Sequence, residues 1–139
     1  MFLLDTNVIS ALRRPGKAEP PLVQWADSVP ASQFYLSVIT ILELEMGAQQ
    51  LMRRDAVQGK VIRQWIDNDV MPGFEGRIIP IDAPVAIRCA ALHVPDPKSE
   101  RDAMIAATAL VHGLTVATRN VRDFASTGVQ LLNPWDGAP

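Results

Sequence analysis

Two acidic residues of this 139-residue chain follow segments that are typical of buried strands. Asp5 comes directly after the apolar run Phe2-Leu3-Leu4, and Asp123 lies a few residues after the predicted strand 114–117. In open parallel sheets, ligands bind at the carboxyl ends of the strands. Both acids therefore occupy positions where a ligand-binding carboxylate is expected.

A third acid, Asp102, lies on the apolar side of a predicted helix. The positions three and four residues further on are Ile105 and Ala106, followed by Ala109 and Leu110. Asp102 should therefore lie along the edge of the helix that packs on the sheet. Removing a carboxylate from water is costly unless a cation or hydrogen-bond donors compensate it, which favours a functional role.

A fourth acid, Glu43, stands among apolar residues in a long predicted helix. Helical spacing puts Glu43 on a narrow face with Thr40 and Gly47, as expected of a residue that faces a cleft. Glu45 aligns with Gln49 and is easier to leave in water. Periodicity thus favours Glu43 over Glu45, but only weakly.

Each acid that stands near a predicted helix start also has a local alternative as a helix cap. Asp5 could cap a helix that begins at Thr6, and Asp123 follows Asn120 by the three residues of a capping pair. Ser99 and Asp102 have the same spacing. The pattern alone does not decide between cap and site for Asp5 and Asp123.

Four carboxylates gathered in one place predict a divalent metal site. Like charges raise one another's pKa values, so such a cluster is destabilising without a cation. Oxygen ligands suit Mg²⁺ or Mn²⁺, which can polarise a phosphoryl oxygen and generate hydroxide for in-line attack. This chemistry needs no histidine base. His93 and His112 stand at predicted helix C-termini and are interpreted as structural.

The elements that must position these acids alternate between strand and helix. The predicted strands span 2–5, 34–37, 77–81, 114–117 and 129–132, and the predicted helices span 6–12, 20–28, 39–52, 56–69, 84–93 and 99–112. This alternation indicates a single α/β domain over 1–139, with a parallel sheet of about five strands covered on both faces. The helices over 39–52 and 56–69 should form an antiparallel hairpin.

Composition permits a nucleic-acid partner without requiring one. The net charge is −2, but metal-bound carboxylates would leave the rest of the chain with a positive balance. Basic residues occur in small groups that could follow a phosphate backbone or simply face solvent: Arg13, Arg14 and Lys17; Arg53 and Arg54; Lys98 and Arg101; Arg119 and Arg122. No signal peptide or membrane-spanning run is evident, so we expect a cytoplasmic protein without a membrane partner. Cys89 is interpreted as a small buried apolar residue.

Four motifs resemble those of PIN domains, specifically the VapC and FitB-like toxins of type II toxin–antitoxin pairs. The motifs are Leu3-Leu4-Asp5-Thr6-Asn7-Val8, Thr40-Ile41-Leu42-Glu43-Leu44 with Gly47, Asp102-Ala103-Met104-Ile105-Ala106-Ala107-Thr108-Ala109, and Thr118-Arg119-Asn120-Val121-Arg122-Asp123-Phe124. The tail Gly128-Val129-Gln130-Leu131-Leu132-Asn133-Pro134-Trp135 is similar to the usual FitB-like ending. The order and spacing of the motifs are more specific than any one of them.

The resemblance implies a three-layer α/β/α PIN-like fold and an endoribonuclease that depends on Mg²⁺ or Mn²⁺. It implies that Asp5, Glu43, Asp102 and Asp123 hold the metal and carry out catalysis, with Thr6, Thr118 and Asn120 as supporting polar groups. It also implies an RNA substrate, a cognate antitoxin that silences the toxin, a homodimer, and DNA contact only through the antitoxin. An apolar stripe on the hairpin, which includes Leu51, Val57, Ile62 and Trp65, could accept the antitoxin or pack in the core.

Two other function classes stay open at this point. A haloacid dehalogenase-like phosphatase would use an acid at the position of Asp5 as nucleophile, but it needs a second Asp where this chain has Asn7. A PIN-like binding module would act mainly through a toxin–antitoxin–DNA complex, with little catalysis. Loss of metal-dependent cleavage in an acid-to-amide variant separates this module from the nuclease.

Overall fold

The computed structural model describes residues 1–136 and is organised around a five-stranded parallel sheet. The strands are β1 (Phe2–Leu4), β2 (Phe34–Ser37), β3 (Ile78–Ile79), β4 (Thr115–Ala117) and β5 (Leu131–Leu132), in the order β3-β2-β1-β4-β5. β1 is central, with Leu3 paired to Tyr35 of β2 on one side and to Val116 of β4 on the other. The predicted parallel α/β sheet is confirmed.

Helices connect the strands and cover both faces of the sheet. They are α1 (Thr6–Ala11), α2 (Pro20–Ser28), α3 (Val38–Arg54), α4 (Ala56–Trp65), α5 (Met71–Gly73), α6 (Ala83–Leu92), α7 (Glu100–His112) and α8 (Val121–Phe124), with short 3₁₀ turns over Ala31–Gln33 and Ala125–Thr127. No helix within residues 1–136 is both long enough and apolar enough to cross a membrane.

Two apolar clusters lie on opposite faces of the sheet, because neighbouring strand residues point to opposite sides. The first core contains Leu4 and draws on helices α1 to α4, through residues such as Val8, Leu22, Leu44 and Trp65. The second core contains Leu3 and draws mainly on α7, through Ile105, Ala106 and Ala109, and on Phe124 of α8. The predicted three layers follow from this division.

The helical hairpin is present, but its second arm is longer than the predicted helix over 56–69. α4 continues through a π-helical segment, Ile66–Val70, into α5. Met71 donates its backbone hydrogen bond to Ile66, five residues back, and Pro72 then stands in the first turn of α5, where it needs no donor. Pro72 therefore does not interrupt the helical path.

The strands at the edges of the sheet are shorter than their apolar runs. The predicted strand over 77–81 pairs only at Ile78–Ile79, and the one over 129–132 only at Leu131–Leu132. An edge strand has one hydrogen-bonding neighbour, so pairing extends only as far as that neighbour does. These differences do not affect the ends of β1 and β4, where the candidate site lies.

Candidate active site

The candidate site lies at the carboxyl ends of β1 and β4, where the sheet order reverses. The chain leaves β1 towards β2 on one side, while β4 pairs with the other side of β1. Asp5 follows β1 directly, and its backbone N donates to Ala117 O of β4 at 2.9 Å. Thr118 follows β4 directly. Such switch points are the usual ligand crevices of parallel sheets.

Asp5 is both the cap of α1 and a buried member of the site. Its Oδ1 accepts from Thr6 N at 2.8 Å, and its Oδ2 accepts from Thr118 Oγ1 at 2.8 Å and from Asn7 Nδ2 at 3.2 Å. Only 7% of Asp5 is exposed. Burial raises the pKa of Asp5 despite these donors, and the neighbouring Glu43 raises it further. The cap and site interpretations of Asp5 are thus compatible.

Glu43 reaches the same place from the second turn of α3, which begins directly after β2 with Ser37 as its cap. Thr6 Oγ1 donates to Glu43 Oε1 at 2.7 Å, and Arg101 Nη1 lies 3.4 Å from Glu43 Oε2. Glu45 turns the other way and pairs with Arg63 at 2.5 and 2.6 Å. The weak preference for Glu43 over Glu45 therefore agrees with the directions of the two side chains.

Asp102 lies in the first turn of α7 and faces the other three acids. Burial is the largest cause that raises the pKa of Asp102, followed by the charges of Asp5, Asp123 and Glu43. Ser99 begins the helix without a side-chain cap bond, so the capping box is not formed, but the Ser99 side chain hydrogen-bonds to the Asp102 carboxylate and partly opposes the rise of its pKa. The repulsion that Asp102 experiences indicates that four separate segments bring their carboxylates into one electrostatic environment.

Asp123 is the exposed member of this group of acids. It stands in the short helix α8, directly beyond the end of β4 and its following turn. Asn120 precedes α8 but makes no side-chain cap bond, so the predicted Asn120–Asp123 capping pair is absent as well. The Asp123 carboxylate is therefore not used to begin its own helix.

The predicted supporting residues contribute unequally. Thr118 is fully buried and accepts from Asn120 N at 3.0 Å and from Asn7 Nδ2 at 3.4 Å while it donates to Asp5. Thr6 connects to Glu43 as described. The hydrogen bond that Asn120 makes here comes from its backbone N and not from its side chain.

Sequence reasoning did not single out two residues that contact the acids, Asn7 and Arg101. Asn7 donates to Asp5, and its Oδ1 accepts from Arg119 N at 3.2 Å, so it joins the β1 and β4 loops. The spacing Asp5-x-Asn7 was a signal for the first contact. Arg101 meets Glu43 across 58 positions of the chain, and nothing local in the sequence indicates that contact.

The donor set suits a hard divalent cation, although no ready-made cage is present. Within residues 1–136, no three acidic, histidine or cysteine side chains are close enough together to hold a metal ion as they stand. The carboxylates are nevertheless close enough to raise the pKa of Asp102. Mg²⁺ commonly binds through one or two carboxylates and keeps several waters, so this arrangement fits its chemistry.

The single cysteine, Cys89, is only partly buried, so the prediction of a buried apolar residue is wrong in that respect. Cys89 Sγ is 3.9 Å from His93 Nε2, and His93 Nδ1 accepts from Lys98 N at 3.1 Å. Burial raises the pKa of the Cys89 thiol, and Glu100 adds to the effect, which disfavours a reactive thiolate. His93 has the local structural role predicted for it.

Comparison with known proteins agrees with the resemblance. The PIN domain family model matches residues 2–129. Toxin FitB of Neisseria gonorrhoeae is 41% identical over 140 residues, which cover 97% of this chain and 99% of FitB. The VapC ribonuclease Y4jK of Sinorhizobium fredii is 36% identical, with 99% of this chain and 100% of the relative covered.

A solved structure supports the fold over the same length. FitAB bound to an IR36 DNA fragment contains a chain that superposes on this one with a TM-score of 0.87 and 37% identity. The superposition covers 97% of this chain and 96% of that chain. The match therefore extends over nearly the whole chain that carries the four acids.

Proposed function

The chain belongs to the PIN domain family, and we propose that it is an endoribonuclease toxin that depends on Mg²⁺ or Mn²⁺ and is neutralised by a cognate antitoxin. The observation that carries this proposal is the convergence of Asp5, Glu43 and Asp123 on Asp102: burial is the main cause of the raised pKa of Asp102, and the charges of these three acids raise it further. Like charges held together in this way are expected where a cation balances them.

In this proposal Asp5, Glu43, Asp102 and Asp123 hold the metal. When bound, the metal polarises the phosphoryl oxygen and supplies a hydroxide nucleophile near neutral pH. Thr118 and Asn7 fix the direction of the Asp5 carboxylate by donating to Oδ2. Thr6 does the same for Oε1 of Glu43. At Asp5 the donors occupy Oδ2 and one lone pair of Oδ1, and at Glu43 Thr6 occupies one lone pair of Oε1. The remaining lone pairs would be open to the metal and its waters.

Arg101 offers a positive charge beside the acids. Its side chain is 46% exposed, and its pairing with Glu43 at 3.4 Å is long for a salt bridge. An exposed pair of this kind contributes little stability and exchanges readily. Arg101 can therefore turn from Glu43 to a substrate phosphate once a metal occupies the carboxylates.

The partners in this proposal are RNA, an antitoxin and a second copy of the chain. A groove of about 320 Å³ runs from Thr6 and Glu43 along α3 and α4 towards Leu51, Ile62 and Trp65. Its apolar end and the neighbouring Arg54 suit an amphipathic antitoxin segment.

Of the predicted apolar stripe on the hairpin, Ile62 and Trp65 also pack against the first core, whereas Val57 is 72% exposed. DNA contact would come through the antitoxin, as the DNA-bound FitAB complex suggests.

Cleavage of a mixed RNA pool tests the proposed activity. The purified protein is incubated with Mg²⁺, with Mn²⁺ and with EDTA, beside Asp102→Asn and the matched control Glu45→Gln from the opposite side of α3. We expect cleavage that needs the metal, is lost in Asp102→Asn and persists in Glu45→Gln. Folded, antitoxin-free protein that cleaves nothing under any condition would favour a PIN-like binding module.

A further inference from the structure

A second pocket, separate from the metal-binding acids, opens beside α1. This basic pocket, as we call it, has a volume of about 380 Å³. Its walls carry Arg13, Arg14, Lys17, Glu19, Arg119 and Trp135. The lining also includes Ser10 and Ala11 at the end of α1. The fold thus joins the basic group in the loop after α1 to Arg119 in the turn after β4 and to Trp135 in the tail of the chain.

Positive charge in the basic pocket is largely unbalanced. The one acid in its wall, Glu19, is paired with Arg119 at 3.2 Å. Among residues 1–136, no carboxylate lies within salt-bridge distance of Arg13, Arg14 or Lys17. Burial lowers the pKa of Arg13, and the adjacent Arg14 lowers it further. An anionic ligand would relieve this repulsion.

An aromatic ring completes the pocket. Trp135 is half-buried, and the Arg119 guanidinium lies over its ring at 5.0 Å from the centroid. Unstacked bases of single-stranded RNA bind on aromatic rings and on guanidinium planes. The combination of free cations with such a surface therefore suits a nucleotide better than it suits a bare anion.

The basic pocket connects directly with the acids. Arg119 donates its backbone N to Asn7 Oδ1, and Asn7 donates to Asp5. On the other side, Ser10 and Arg13 line both the basic pocket and the groove that contains Glu43. A strand whose phosphate lay at the acids would therefore have its neighbouring nucleotides within reach of the basic pocket.

We propose that the basic pocket binds a nucleotide of single-stranded RNA that flanks the cleaved phosphate. Arg13, Arg14 and Lys17 contact the phosphates, and the base stacks against the Arg119–Trp135 pair. This inference rests on the proposed function for the identity of the ligand. It assigns to these side chains the selection and alignment of the substrate, while the acids carry out the chemistry.

RNA binding without metal tests the charged part of the proposal. The probe is a 5′-fluorescein-labelled, 12-nucleotide single-stranded RNA of mixed sequence, followed by anisotropy in EDTA over a range of salt concentrations. The Arg14→Ala/Lys17→Ala variant should bind at least about fivefold more weakly and lose roughly 1.4 from the magnitude of its log–log salt slope. The control Lys60→Ala/Arg88→Ala, which removes two exposed charges outside the pocket, should bind like the wild type.

Substitution of Trp135 tests the stacking part. Trp135→Ala should weaken binding roughly 5- to 150-fold, the range expected for the loss of one stacked base. Trp135→Phe keeps an aromatic face and should retain most of the affinity. Circular dichroism shows whether each variant is folded, because Trp135 also packs against the first core.

The outcomes separate this inference from the proposed activity. Metal-dependent RNA cleavage together with unchanged binding in the Arg14→Ala/Lys17→Ala variant would overturn the basic pocket and leave the nuclease intact. Binding that falls in the pocket variants, without cleavage under any metal condition, would support the pocket and contradict the nuclease. No measurable RNA binding by the wild type, even at low salt, would overturn the inference.

Discussion

At the scale of single residues, the site brings together four carboxylates, and Arg101 is the one cation paired with them in the described residues. Asp102 has no hydrogen-bonding network comparable to that of Asp5, whose two oxygens accept three donors. Its side-chain donor is Ser99, which can still donate to the amide oxygen of an asparagine, so removing the charge of Asp102 should relieve repulsion without leaving that donor unpaired. In Asp5→Asn, the side-chain NH₂ group would face hydrogen-bond donors that now point at a carboxylate oxygen. We therefore expect no similar gain in stability from that substitution.

Asp102→Asn is expected to raise the melting temperature in EDTA by a few degrees at neutral pH. The pKa of Asp102 is raised in the folded protein, so the carboxyl group favours folding most when it is protonated. Its contribution to stability is complete below the ordinary pKa of 3.8 and is lost as the pH rises through the raised value. The difference in melting temperature between variant and wild type should accordingly be near zero at low pH. It should be largest at pH values above the raised pKa of Asp102.

Thermal unfolding followed by circular dichroism between pH 3 and pH 8 measures this difference. Addition of Mn²⁺ should make the wild type melt above the variant, because the wild type binds the ion more tightly. A ligand that binds the native state raises its stability. A variant that melts below the wild type in EDTA across the whole pH range would contradict clustered, repelling carboxylates.

Thr118 is expected to matter for stability as well as for the site. Thr118→Val removes the hydroxyl that donates to Asp5 and accepts from Asn120 N, so the buried Asp5 Oδ2 keeps only Asn7 as a donor and Asn120 N loses its side-chain partner. We expect a loss of about 1–3 kcal/mol in the free energy of unfolding, measured in urea. Thr118→Ser keeps the hydroxyl and should recover most of the loss. Equal stability of the Val and Ser variants would show that the hydrogen bonds contribute little.

At the scale of elements, the α3–α4 hairpin places Glu43 opposite Thr6 and depends on a close approach. A Cβ built on Gly59 would lie 2.6 Å from the Cα of Met52 and 2.8 Å from its backbone N. Backbone atoms cannot move aside as the end of a flexible side chain can. Gly59 therefore sets how closely α4 packs against α3, and Gly47 on α3 has no comparable neighbour within 4 Å.

Gly59→Ala should destabilise the protein by about 1–3 kcal/mol, because the strain of the contact exceeds the gain in helix propensity. Gly47→Ala is the matched control, since it also lies inside a helix, and it should gain up to about 1 kcal/mol from propensity. Urea unfolding of both variants measures the two effects. Equal gains in the free energy of unfolding for Gly59→Ala and Gly47→Ala would mean that α4 can move away from α3 at little energetic cost.

Sequence patterns predict the elements better than they predict the contacts between them. The strand before Asp5, the helix that contains Glu43 and the apolar face beside Asp102 each depend on local periodicity, and all three elements are present. Whether Asp5 caps a helix or faces a site was undecidable locally, since it does both. The contacts of Arg101 with Glu43 and of Arg119 with Asn7 arise from packing between distant segments, which single-sequence periodicity does not record.

At the scale of the whole molecule, one sheet separates two cores and should make them unfold together. Trp25, Trp65 and Trp135 all pack against the first core, so tryptophan fluorescence reports on that face. Far-UV circular dichroism reports on helices of both faces, including α7 of the second core. We expect the two signals to give one coincident urea transition, as in a single domain. Separate midpoints would contradict the single-domain prediction.

The proposed metal centre depends on whether four carboxylates that are distant in the sequence bind a divalent cation together. Calorimetric titration with Mn²⁺ measures this directly. It is carried out on the wild type, on the control Glu45→Gln, and on the four amide variants Asp5→Asn, Glu43→Gln, Asp102→Asn and Asp123→Asn. We predict that the wild type and Glu45→Gln bind Mn²⁺ and that the four amide variants lose roughly tenfold or more in affinity. Substitution of the groups that support a metal ligand already causes a loss of that size. Wild-type protein that binds no Mn²⁺, or amide variants that bind it as tightly as the wild type, would contradict the metal centre.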